Sequence, residues 1–111
     1  MRTYVRVGPR PWRPEAELEG ALDRGDLRYA MALAEELRRD RGRPIGLDLA
    51  ARFLPLIARE SPREYDAWAL RWLARWATEN AGSAEQAAEL AASLAELPAE
   101  PTAMTTIQAL L

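Results

Sequence analysis

Residues 61–83 read SPREYDAWALRWLARWATENAGS, and this stretch decides the fold. Ser61, Pro62 and Glu64 make a capping box: a hydroxyl for an orphan backbone N–H, a proline preset to helical φ, and a glutamate at the third position. About 17 residues follow without Gly or Pro until Asn80-Ala81-Gly82 breaks the chain. Within them Tyr65, Trp68, Ala69, Trp72, Leu73 and Trp76 recur every three or four residues and form one broad apolar face. Each indole can bury on the order of 200 Å². Such a face predicts the central helix of an all-α fold.

Downstream, Ser83-Ala84-Glu85-Gln86 is a second capping box, opening a helix to about Leu97. Small residues crowd that helix: Ala84, Ala87, Ala88, Ala91, Ala92 and Ala95 accompany Leu90, Leu94 and Leu97. Alanine on two sides predicts a helix sandwiched between neighbours, within the chain or across a dimer. Pro98 and Pro101 then precede a short last helix, about Thr102 to Leu110, with Met104, Ile107 and Leu111 on its apolar side.

Upstream, Asp48 is placed to cap a helix over about Leu49–Glu60, whose apolar face is Leu49, Phe53, Leu56 and Ile57. Pro55 lies inside that pattern and predicts a kink or two short turns. Before it come a helix over Pro14–Arg24, closed by Gly25, and one over Leu27–Arg41, capped by Asp26 and ended by Gly42 and Pro44. The latter carries a stripe of Leu27, Ala30, Met31, Ala34 and Leu37. The helix starts at Pro14, Leu49 and Ala84 are 35 residues apart each time, the spacing of a two-helix repeat. In the first pair, over residues 14–44, Gly25-Asp26-x-x-x-Ala30 resembles the inter-helix turn of a tetratricopeptide repeat. The resemblance implies a helical hairpin in which Gly makes the turn and Ala lets the helices approach. The later pairs lack both residues.

Residues 1–13 differ in kind. Thr3, Val5 and Val7 alternate with Tyr4 and Arg6, a period-2 pattern, until Gly8, Pro9 and Pro11 stop it. This predicts an extended N-terminal arm ahead of a single helical domain over residues 14–111. The arm holds Arg2, Arg6, Arg10 and Arg13 and no acid, whereas residues 79–111 hold Glu79, Glu85, Glu89, Glu96 and Glu100 and no base. Such polarity steers partners and self-contact rather than folding.

Composition narrows the chemistry further. With 49% hydrophobic and 29% charged residues, the chain has the balance of a globular protein. It contains no Cys and no His, which excludes thiol nucleophiles, imidazole bases and the usual zinc sites. All fifteen basic residues are Arg, so Schiff-base and P-loop lysines are excluded as well. Arg in place of Lys, with abundant Ala, points to the codon bias of a GC-rich bacterial genome. The polar, proline-broken N-terminus and the lack of a long apolar run predict a cytoplasmic protein without membrane attachment.

No catalytic residue, metal site or cofactor is expected: Glu60, Glu64, Asp66, Asp23 and Asp26 sit where capping and the helix dipole account for them. Arg38, Arg39, Arg41 and Arg43 crowd a helix C-terminus, where cations belong. The candidate partner-binding residues are Tyr4, Arg6 and Trp12 on the arm and Trp68, Arg71, Trp72, Arg75 and Trp76 on the tryptophan helix. Arg71 and Arg75 each follow an indole by three residues, within reach for cation–π stacking. The sequence therefore predicts five to six helices, as an irregular bundle or short stack of antiparallel hairpins. The expected function is a non-enzymatic interaction module, a scaffold or adaptor for a partner protein or a second copy. Two alternatives are a nucleic-acid regulator acting through the arm and a small-ligand pocket lined by Trp and Arg.

Overall fold

Three short turns organise the chain into pairs of helices. The computed structural model describes residues 13–111, so the expected arm over residues 1–12, with Tyr4, Arg6 and Trp12, lies outside the described residues. The helical segments are α1 (Pro14–Asp23), α2 (Leu27–Arg41), α3 (Leu47–Ala51), α4 (Phe53–Glu60), α5 (Pro62–Glu79), α6 (Ala84–Glu96) and α7 (Ala103–Ala109). No strand occurs among the described residues. The fold is all-α, as the sequence predicts. α1 packs on α2, α4 on α5 and α6 on α7, giving hairpins that stack in chain order through α2 on α4 and α5 on α6. α3 closes the stack against α5 and α7. Among the described residues no helix is long and apolar enough to cross a membrane.

The local signals explain most boundaries. Gly25 takes φ +74°, and its N–H bonds Leu22 O while Asp26 N–H bonds Ala21 O, both near 3 Å. This Schellman turn satisfies the last carbonyls of α1. Asp26 at once starts α2, its carboxylate accepting from Tyr29 N–H at 3.2 Å. Gly42, at φ +72°, ends α2 in the same left-handed way. Ser83 forms the full capping box: its hydroxyl accepts from Gln86 N–H at 3.1 Å, and Gln86 Oε1 accepts from Ser83 N–H at 3.0 Å. Ser61 behaves differently. α5 starts at Pro62 as predicted, but the Ser61 side chain makes no capping bond, so proline and the serine carbonyl set this start.

Pro55 acts as the sequence predicts, with one refinement. The helix opens at Leu47, two residues early, with Gly46 at the cap and Asp48 in the first turn instead of capping. It then breaks at Arg52. Pro55 lacks an N–H for the Ala51 carbonyl, and its ring crowds that carbonyl, so the ladder stops there. In the restarted α4, Pro55 falls in the first turn, where a missing N–H costs little. Arg52, at the break, reaches back to Asp23 and Glu19 of α1.

The core runs along α5. Tyr65, Ala69, Trp72 and Trp76 are buried among Leu18, Leu37, Leu54, Ile57, Leu90, Leu97 and Ile107. Each polar tip finds a carbonyl on a neighbouring element. Tyr65 Oη–H donates to Leu94 O at 2.5 Å, Trp72 Nε1–H to Leu47 O at 2.9 Å, and Trp76 Nε1–H to Leu110 O at 3.2 Å. These bonds satisfy groups that would otherwise cost free energy on burial. Three details depart from the predicted stripes. On α2 the buried residues are Ala30, Leu33 and Leu37, while Met31 is 39% exposed. Leu111 is 44% exposed, whereas Ile107 is fully buried. α6 is not sandwiched in this chain: Leu90, Ser93 and Leu94 face inward, and Ala84, Ala88, Ala91, Ala92 and Ala95 are exposed.

Burial makes Tyr65 a pH probe. Loss of water around the phenol, with the nearby Asp66 charge, pushes its pKa up to about 12 from 10.0. The native state thus holds a proton that the unfolded chain has already released. The stability this phenol contributes is complete below pH 10 and is lost as pH rises toward about 12. Urea unfolding followed from pH 9 to 12 is expected to show a steeper loss of stability in the wild type than in Tyr65→Phe. Parallel curves would contradict the burial of this group.

Candidate functional site

A groove of about 770 Å³ lies between α2 and α5. Its floor is Ala50, Phe53 and Leu54 from α3 and α4, with Ile45 and Pro44 from the preceding loop at one end. Met31, Ala34, Glu35 and Arg38 form one wall, and Trp68, Arg71, Trp72, Arg75 and Glu79 line the other. The C-terminal ends of both helices reach one hollow, which Leu37 and Arg41 of α2 line together with Arg75 and Glu79 of α5. From Trp68 to Glu79 the α5 wall spans about 16 Å, at 1.5 Å per residue. Beyond Arg75 and Glu79 the groove meets a hollow of about 450 Å³ bounded by Glu15, Arg41, Arg43 and Gly46.

The wall residues do different jobs. Trp68 is partly exposed and stacks on Phe53, with centroids 6.4 Å apart and planes within 7°. The Arg71 guanidinium carbon lies 5.2 Å from the Trp68 ring centroid, a cation–π contact. Arg75, at the same spacing from Trp72, instead donates to Glu79 at 2.9 Å. Trp72 shows only its edge to the groove, because its indole is buried and bonded to Leu47 O. Trp76 is 2% exposed, lies on the inner side of α5, and does not line the groove. Thus Trp68, Arg71, Trp72 and Arg75 come together on one wall. The drift of about 40° per four residues on a helix separates Trp76 from them.

Charge on the rim is largely self-matched. Arg38 donates to both oxygens of Glu35, at 3.0 and 2.6 Å, and this hydrogen bond holds the Glu35 carboxyl below its usual range. Arg39 approaches the same carboxylate at 3.5 Å. At the hollow, Arg41 bonds Glu15 at 3.1 and 3.3 Å and lowers its pKa in the same way. Arg38, Arg39 and Arg41 are thus engaged in pairs as well as placed at a negative helix end. Among the described residues no three acidic side chains gather as a metal ion would require. The floor residues Phe53 and Leu54, and Met31 on the wall, were not among the sequence candidates. Met31 had a signal, being apolar at the edge of its helical stripe; the floor needs the tertiary fold to be recognised.

No family model matches this chain, and neither does any curated protein or solved structure. The groove's own chemistry is therefore the basis for a function.

Proposed function

We propose that this protein is a non-enzymatic interaction module whose α2–α5 groove holds a short segment of a partner protein. The observation that carries this is the groove itself: an apolar floor of Phe53, Leu54 and Ala50, open to solvent along about three turns of α5. Apolar clefts framed by a few polar groups are where proteins bind peptides and small molecules. A trough walled by two helices suits a peptide that lies along it and buries one face. The rim arginines and glutamates would order such a peptide.

The test uses displayed random peptides of about twelve residues, long enough for three helical turns. Selection on the immobilised full chain is expected to enrich peptides that change indole fluorescence saturably. Met31→Gln/Ala74→Gln puts two neutral amides on the groove walls at exposed positions, so the fold is retained and checked by its circular dichroism melt. Binding is expected to weaken at least about tenfold, since an amide facing an apolar partner loses its water without a new bond. No enrichment, or equal binding to the double variant, would remove the groove as the site.

A further inference from the structure

Five charged side chains line the groove, and four are matched within the protein. Glu35 is held by Arg38 and Arg39, and Arg75 is held by Glu79. Arg71 is the exception. Among the described residues no carboxylate comes within 4 Å of its guanidinium. Residues 1–12 contain no Asp or Glu, so no acidic side chain there can complete the pair. The Arg71 head is instead laid over Trp68, beside the apolar floor.

We infer that the occupant of the groove is an apolar peptide segment bearing an Asp or Glu side chain that pairs with Arg71 while its neighbours cover Trp68. This rests on the groove being a partner site and adds the chemistry of that partner. An exposed Arg–carboxylate pair contributes little in water. Covered by an apolar peptide, the same pair loses solvent screening and acts mainly on partner choice. The cation–π contact with Trp68 restrains the guanidinium, so less freedom is lost when two parallel N–H bonds form to a carboxylate. A basic occupant is disfavoured by the same charge. Residues 1–12 would bring Arg2, Arg6 and Arg10 to a groove that already has one excess cation.

The experiment takes the most enriched peptide from the selection and makes it with Glu, Gln or Lys at its acidic position. Each version is titrated against wild type, Arg71→Gln and Arg71→Glu, at low and high salt. On wild type the Glu peptide is expected to bind about fivefold or more tighter than the Gln peptide, with the gap closing at high salt. Arg71→Gln should erase the gap, and Arg71→Glu should make the Lys peptide the best of the three. An enriched pool with no excess of Asp and Glu would overturn the inference. So would a Glu-to-Gln ratio that ignores Arg71, or tighter binding by a synthetic peptide of residues 1–12. Peptides that fail on Met31→Gln/Ala74→Gln yet ignore Arg71 would refute the charge assignment and leave the groove standing. Peptides indifferent to that double variant would refute the groove itself.

Discussion

Trp76→Ala is expected to lower the free energy of unfolding by about 3–5 kcal/mol, the range for removing a large buried aromatic. The whole stability of a domain this size is about 5–15 kcal/mol, so the variant should sit near its unfolding threshold. Two losses combine at this position. The indole is 2% exposed, and truncation leaves a void where α5, α7 and the loop after α5 converge. It also deprives the Leu110 carbonyl of its donor. Trp68→Ala should cost much less, because that ring is partly exposed and packs mainly on Phe53. Urea unfolding followed by far-ultraviolet circular dichroism compares the two without relying on the deleted fluorophore. Equal losses in both variants would contradict the inward placement of Trp76.

Gly82→Ala is expected to cost about 1–3 kcal/mol, an overpacking effect that needs no change in backbone conformation. A Cβ at residue 82 would stand 2.3 Å from Cη2 and 2.7 Å from Cζ2 of Trp76. The ring is enclosed and held by its Nε1–H bond to Leu110 O, so the loop must lift. Lifting pulls on Ser83, whose cap starts α6. The same substitution in a Trp76→Phe background should cost clearly less, since the smaller ring vacates the contact. A double-mutant cycle reads that coupling directly. Additive losses would show that Gly82 serves the turn and not the ring.

The two effects show which parts of the fold were legible in the chain. Gly25-Asp26, Gly42, Pro62 and the Ser83 box announce helix ends, because each is a local bond or a fixed dihedral that neighbouring residues decide among themselves. Pro55 foretold a break for the same reason. Which side of a helix turns inward was less legible. Met31 and Leu33 are both apolar at plausible spacings, and only the packing of neighbouring helices on α2 makes Leu33 the buried one. The alanines of α6 fit close packing on two sides, yet the chain supplies neighbours on one. Trp68, Trp72 and Trp76 share a four-residue spacing but end as groove wall, edge and core, since helical drift and the placement of α3 and α7 separate them. The groove floor was illegible for a further reason. It is made where α3 and α4 lie under two helices far apart in sequence, and no local pattern marks that meeting.

Stacking in chain order has a kinetic consequence. Most partners here meet across loops of a few residues, so little chain entropy is lost before contacts form. Low contact order of this kind goes with folding in microseconds to milliseconds. The meeting of α3 with α7 joins distant stretches and carries the longest delay. The bond from Trp76 to the Leu110 carbonyl ties α5 to the end of α7, so indole fluorescence in a refolding trace is expected to report when the last helix docks.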